Sequence, residues 1–372
     1  MKHIDMIIDL QFGSTGKGLL AGFLARTGNY DTVMTAWGPN AGHTNIDEHG
    51  RKFVHIMLAN AVTSPTVKRI MIGPGSILDL DILRREVESC MDILKAKKVT
   101  IYVHPHAAVV TDEDRAAEAD AMTAIGSTKK GVGAALCSKI RRQPSRANVA
   151  QDFRTHPIFT PMDPEEDPVV LVRTATDWLD IYNLSSRILI EGAQGFGLSI
   201  HHGFYPFVTS RDITPSQILA DCGVPFADSR SVHVYGTART FPIRVANRFN
   251  EKGEQVGWSG PCYPDQHEIG WGSIGLQPEL TTVTKLPRRL FTFSKEQMRF
   301  AVGMCSPSSV FLNFVNYYTN VVQFADVHDF LYKELGIGEI IYGTGPTVND
   351  VHRGMWGSAH RIWHDLQEKV NV

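Results

Sequence analysis

At 372 residues, with 43% hydrophobic and 20% charged side chains and 32 glycines, the chain has the profile of a globular enzyme with a large core, not of a disordered or fibrous protein. A net charge of -2 gives no electrostatic case for binding nucleic-acid polymers or membranes. Five widely spaced cysteines without a C-x-x-C pair predict neither a disulfide framework nor a zinc site and fit a reducing cytoplasm; the acid-bearing start Met1-Lys2-His3-Ile4-Asp5 is unlike a signal peptide, and no apolar run reaches membrane-spanning length.

Short β-rich runs recur along the chain: Met6 to Leu10, Thr32 to Ala36, Arg69 to Ile72, Val99 to Val103, Ile188 to Ile190, Val232 to Tyr235, Val310 to Val315 and Glu339 to Tyr342. Helical patterns at Gly18 to Arg26, Leu80 to Lys95 and Arg115 to Met122 lie between several of them. This alternation predicts an α/β fold with a central, mostly parallel sheet flanked by helices. The polar, proline-bearing stretch Gln143 to Pro168 and the glycine- and tryptophan-rich stretch Asn247 to Gln277 read as linkers or as active-site loops. Strand-like segments continue on both sides of each, which favours one domain over residues 1–372 with loops inserted near 125–168 and 247–289.

Glycine-punctuated segments follow several of these strands. The first strand runs into Gln11-Phe12-Gly13-Ser14-Thr15-Gly16-Lys17-Gly18, where backbone N–H groups at a helix start and one lysine would make an anion site. It is not a Walker A loop, since Gln11 stands at the first glycine and Gly18 replaces the magnesium-binding hydroxyl. The second strand ends at Asn40-Ala41-Gly42-His43-Thr44, where His43 is either a proton donor to a phosphoryl or carbonyl oxygen or a solvated side chain. Ile125 to Gly133, with Ser127 and Thr128, suits a phosphate clasp or an exposed polar loop. Glu191-Gly192-Ala193-Gln194-Gly195 could point an amide at a base edge, with a tight turn as the alternative. Thr281 to Arg289 offers cations and hydroxyls to a carboxylate, as a basic surface loop also would.

In this order, the segments resemble those of adenylosuccinate synthetase. The pattern Q-W-G-D-E-G-K-G appears as Gln11 to Gly18, and N-A-G-H-T is intact at Asn40 to Thr44. I-G-T-T-x-x-G-x-G is near intact at Ile125 to Gly133, E-G-A-Q-G is intact at Glu191 to Gly195, and H-G-T-Y-P-Y-V-T-S is matched by His202 to Ser210 with conservative changes. The resemblance implies a magnesium-dependent ligase that phosphorylates the oxygen at purine carbon 6 and lets the aspartate amine displace phosphate. By motif match, His43 would stabilise the transferred phosphoryl group and Gln194 would hold the purine. Asn40, Ser127, Thr128, Arg142 and Thr209 would join Gln194 on the acceptor nucleotide, Arg142 from the second subunit of a homodimer. Gly13, Thr15, Gly16, Lys17, Gly18 and Thr44 would serve the donor phosphates, Ser14 and Gly42 the metal, and Thr284, Lys285 and Arg288 the aspartate.

Three departures refine this expectation. The family's catalytic aspartate in the first loop is Ser14 here and the neighbouring glutamate is Thr15, so the usual general base is missing. A serine at that place is the pattern of the family's phage branch, which acts on dGMP, and a small hydroxyl leaves room for guanine's 2-amino group. The guanine-reading T-K-L-D becomes Asn313-Phe314-Val315-Asn316 beside Gly343, Gly345 and Pro346 of the S-T-G-P element. An asparagine both donates and accepts, as adenine requires, so the expected donor is ATP or dATP. Lys285-Leu286 replaces the family's G-R step in the aspartate loop. The leading expectation is therefore ligation of L-aspartate to dGMP, in the host cytoplasm if a phage encodes the chain. An ordinary enzyme acting on IMP and a catalytically silent nucleotide-binding homologue are the alternatives.

Overall fold

The computed structural model describes residues 2–121, 125, 128–143, 146–160, 169–281 and 286–370. The main sheet is built from β1 (His3–Asp9), β2 (Thr32–Thr35), β5 (Arg69–Ile72), β6 (Thr100–Val103), β7 (Val169–Leu171), β8 (Arg187–Glu191), β9 (Val232–Arg239), β10 (Ser309–Asn313), β11 (Glu339–Gly343) and β12 (Val351–His352). A separate antiparallel hairpin of β3 (His43–Ile46) and β4 (Lys52–His55) follows β2. Sheet order is β12-β11-β10-β9-β1-β8-β2-β5-β6-β7, all parallel except the β11–β12 pair. The expected α/β architecture is present, and all eight predicted strands lie in this sheet; only the short edge strands β7 and β12 were not foreseen.

β1 shows why the sheet forms. Its side chains from Ile4 to Asp9 are buried, and they alternate between two apolar layers. Ile4, Met6 and Ile8 face one layer; Ile7 faces the other, with Leu20 and Leu24 of helix α1 (Lys17–Gly28) and Val33 of β2. Each such side chain contributes about 1.5–3 kcal/mol on leaving water. Burial on both faces is what lets these strands read as nearly continuous apolar runs.

Two predicted elements are shorter than expected. The helix over Leu80 to Lys95 is two helices, Leu80–Ser89 and Met91–Lys97, broken at Cys90, whose φ of -108° and ψ of 9° are not helical. The run to Val315 stops at Asn313 because Phe314 turns into the left-handed region, with φ 61°. The stretch Asn247 to Gln277 carries its own small structure: Arg248–Phe249 pairs with Gln255–Gly257, and Glu268–Ile269 pairs with Arg289–Phe291. No helix among the described residues is long and apolar enough to cross a membrane.

β1 lies between β8 and β9, and the chain leaves it first toward β2 and later returns to build β9, β10 and β11 on its other side. Ligands of open α/β sheets bind outside the carboxyl ends of the strands at such a reversal. The loops after β1, β2, β8, β9, β10 and β11 all open there.

Candidate active site

The loop after β1 is wound around a carboxylate that sequence reasoning did not single out. Asp9 is fully buried; its Oδ1 accepts from the Gln11 N–H at 2.8 Å, and its Oδ2 accepts from the Thr15 hydroxyl at 2.6 Å and the Lys17 ammonium at 3.0 Å. Positive φ at Gly13 (98°), Ser14 (56°) and Gly16 (94°) makes the tight path possible. The available signal was an acid at the inner end of an apolar strand, next to the glycine loop. Ser14 stays exposed at the rim.

Close approach of other segments explains the motif glycines. A Cβ on Gly195 would stand 2.4 Å from the Gln11 carbonyl oxygen, so the turn after β8 packs directly on the first loop. That turn carries Gln194, at φ 63°. A Cβ on Gly18 would stand 2.6 Å from the Thr44 carbonyl oxygen, and one on Gly22 would stand 2.2 Å from Asn45 Oδ1. The β3–β4 hairpin thus lies on the glycine face of α1, and the Walker-type hydroxyl at position 18 has no room.

This packing sets His43 beside Lys17. His43 is 6% exposed, its ring lies 4.1 Å from that of Trp37, and neither ring nitrogen has a hydrogen-bond partner among the described residues. Burial, and then the charges of Lys17 and His55, pull its pKa well below the usual histidine value. The imidazole is therefore neutral, with one N–H free to donate. Two unpaired nitrogens in a buried ring cost free energy unless a ligand meets them.

Asn40, Gln194 and Thr209 are partly buried, and their side chains make no hydrogen bond to a described residue. Thr128 is exposed, and Ser127 lies outside the described residues. Arg142 is exposed at the end of the helix Val132–Arg141, where its backbone N–H donates to the Lys139 carbonyl and its guanidinium makes no hydrogen bond to a described residue. A half-buried arginine that the motifs did not reveal braces this side: Arg211 donates to the carbonyls of Ala36 and Gly75 and pairs with Asp221 at 3.5 Å. It ties the Thr209 segment to the end of β2.

On the other side, the Asn313 amide is wedged between two glycines. A Cβ on Gly16 or on Gly343 would lie 2.2 or 2.1 Å from it. Its Nδ2 donates to the Thr15 carbonyl at 3.3 Å and its Oδ1 accepts from the Phe314 N–H at 2.8 Å, so both amide atoms are engaged within the protein. Asn316 is exposed, and its amide makes no hydrogen bond to a described residue. A Cβ on Gly345 would lie 2.6 Å from the Asp350 carboxyl carbon, while Pro346 is exposed. Arg288 is partly buried and its guanidinium donates no hydrogen bond to a described residue; burial lowers its pKa against the pull of Glu279. Thr284 and Lys285 lie outside the described residues.

For a magnesium ion, the chain offers neutral oxygens. The exposed Ser14 and Gly42 lie on loops beside the Lys17 end of α1, and no group of three or more His, Cys, Asp or Glu side chains suited to a metal occurs among the described residues. Such a donor set fits an ion held mainly by substrate phosphates and water, as magnesium commonly is.

The family model described as adenylosuccinate synthetase matches residues 6–158 and 169–322. An N6-succino-2-amino-2'-deoxyadenylate synthase of Salmonella phage PMBT28 is 48% identical over 95% of this chain and 98% of the relative. One of Acinetobacter phage SH-Ab 15497 is 46% identical over 90% of each chain. Among solved structures, the cyanophage S-2L succinoaminodeoxyadenylate synthetase (PurZ), bound to dGMP and to dATP as an energy donor, superposes with a TM-score of 0.88 at 39% identity, over 100% of this chain and 99% of that one. A fully ligated adenylosuccinate synthetase from Plasmodium falciparum shares the fold at a TM-score of 0.69 and 17% identity, over 95% of this chain and 100% of that one.

Proposed function

The chain belongs to the adenylosuccinate synthetase family, and on that premise we propose that it ligates L-aspartate to dGMP at purine carbon 6, with ATP or dATP as the energy donor. The observation that carries this reading is Ser14: a small, exposed hydroxyl at the rim of the phosphate loop, on a stretch packed against the Gln194 turn. A carboxylate there would crowd guanine's 2-amino group; a hydroxyl leaves space for that group and can accept from it.

In the first step the purine's 6-oxygen attacks the γ-phosphorus and the nucleoside diphosphate leaves. In the second the aspartate amine attacks carbon 6, and inorganic phosphate departs with the 6-oxygen. The Lys17 ammonium and a His43 N–H, fixed in a buried place before substrate arrives, stabilise charge on the transferred phosphoryl oxygens. Gln194 orients the purine, with Asn40, Thr128 and Thr209 on the acceptor nucleotide. Arg288, partly buried without a hydrogen-bonded partner for its guanidinium among the described residues, takes a carboxylate of aspartate. Ser14 and Gly42 would help to hold magnesium, which would supply charge neutralisation on the donor phosphates.

Residues 1–372 act as one catalytic unit, with active-site loops inserted near 125–168 and 247–289. The unit works as a homodimer in which Arg142, exposed at a helix end, reaches the neighbour's acceptor site. Free nucleotides and an amino acid as substrates fit work in a host cytoplasm.

The test follows phosphate release and product mass with dGMP, GMP, dIMP or IMP as acceptor, crossed with ATP, dATP and GTP. Aspartate-dependent release is expected with dGMP and an adenine donor. Its absence there, with release from IMP instead, overturns the assignment.

A further inference from the structure

Arg239, the last residue of β9, has no solvent exposure, and its guanidinium touches three segments of the site at once. Nη1 donates to the Ser14 carbonyl at 3.2 Å and to Glu279 Oε2 at 3.3 Å, and Nη2 donates to Glu279 Oε1 at 2.5 Å. Its carbon atom lies 4.0 Å from the centroid of the Phe314 ring. The backbone is pinned as well: Arg239 N donates to Gln11 Oε1 at 2.9 Å, and Gln11 Nε2 donates to the Arg239 carbonyl at 3.2 Å.

Glu279 extends the connection in both directions. Its Oε1 also accepts from the Tyr317 hydroxyl at 3.2 Å, and its main-chain carbonyl accepts from the Arg288 N–H at 2.8 Å. One ion pair therefore joins the rim of the phosphate loop at Ser14, the turn Phe314–Tyr317 after β10, and the segment at the antiparallel bridge between Leu280 and Pro287. A fully buried guanidinium is costly to desolvate, and pairs of this kind stabilise less than they define a register.

We propose that Arg239 and Glu279 are positioning residues that couple the amino-acid site to the donor-nucleotide site. When aspartate is held by the Arg288 segment, the bond from the Arg288 N–H to the Glu279 carbonyl holds Glu279 in the pairing it already makes with Arg239. Arg239 is thereby kept against Phe314 and the Ser14 carbonyl, so that the donor turn and the phosphate loop hold their working geometry together. The same linkage runs in reverse, since coupling between two bound ligands is reciprocal. This inference rests on the assignment of the Arg288 segment to aspartate given above.

The test measures binding of the imido analogue of ATP, which cannot transfer its terminal phosphoryl group, to the full chain with dGMP and magnesium, with and without saturating aspartate. Aspartate is expected to tighten the analogue by roughly fivefold or more. In Glu279→Gln the ratio of analogue affinity with and without aspartate should fall below about twofold, whatever the affinity without aspartate. Tyr317→Phe, which leaves the ion pair intact, should lower the coupling in part and carries the test if Glu279→Gln does not fold. Unchanged coupling in both variants, or no coupling in a protein that does form the aspartate adduct, overturns the inference alone. A protein that forms no adduct and binds no aspartate overturns the Arg288 assignment with it.

Discussion

The Lys17 ammonium lies 3.0 Å from the Asp9 carboxylate, and the two side chains are only 5% and 0% exposed. In a loop where Ser14 and Thr15 carry no charge, the counter-charge for a buried lysine comes from beneath, out of the strand.

Asp9→Asn removes that counter-charge with little change in shape. Breaking a buried pair from one side costs about 3–5 kcal/mol, because the remaining charge is left uncompensated. Urea unfolding at pH 7 should show a loss of this order, together with a fall in turnover. A loss below about 1 kcal/mol, the value of an exposed pair, would mean that Lys17 does not depend on Asp9.

His43→Ala takes away a neutral imidazole whose ring nitrogens have no partner among the described residues. Turnover with dGMP should fall by about a hundredfold or more, with nucleotide affinity nearly unchanged, since the lost interaction is strongest in the transition state. Near-normal turnover would remove His43 from the mechanism.

Ser14→Asp places a carboxylate at the rim of the loop. Use of dGMP should suffer more than use of an inosine nucleotide, which has no 2-amino group to accommodate. Catalytic efficiencies for the two acceptors, compared between variant and unmodified protein, decide the point; equal changes would deny Ser14 any part in acceptor choice.

Asn316 is exposed with an unengaged amide, whereas the Asn313 amide is already bonded on both sides. If Asn316 reads the donor base, Asn316→Asp should weaken adenine donors, because a carboxylate cannot donate to the ring nitrogen. The mismatch costs about 1–3 kcal/mol, or roughly ten- to hundredfold in the ratio of ATP to GTP efficiency. A ratio that does not move toward GTP would leave the donor preference without its reader.

Glu191, at the end of β8, accepts from the Ala61 N–H at 2.6 Å, and burial pushes its carboxyl pKa from 4.5 up to about 7 despite that bond. The folded chain consequently binds more protons than the unfolded chain between those values. Stability conferred by this group is present below about 4.5 and is lost as pH rises toward 7, by on the order of 3 kcal/mol. Glu191→Gln should flatten that part of the stability profile in urea titrations at several pH values, and an unchanged slope would assign it to other groups.

Much of this protein is readable from sequence because the information is local. Buried parallel strands must be apolar on both faces, so eight of them announce themselves. The loops that follow must be glycine-rich to let backbones meet, so Gly18, Gly195 and their neighbours mark the site before its shape is known. Motif order supplied the family, and the serine at position 14 supplied the branch.

Tertiary structure decided the rest, because the deciding contacts join residues far apart in the chain. Asp9 is just another acid until the loop folds back over it. Arg211 and Arg239 lie outside the quoted loop motifs, and only the crossing of distant segments shows that each braces the site, Arg239 fully buried and Arg211 half-buried. The roles of Asn313 and Asn316 were also divided in three dimensions: the same residue type, three positions apart, is a wedge between Gly16 and Gly343 in one case and an exposed amide in the other. Side-chain chemistry can be read from letters, but whether a group is already satisfied depends on which neighbours the fold brings within 3 Å, and that is a property of the whole chain.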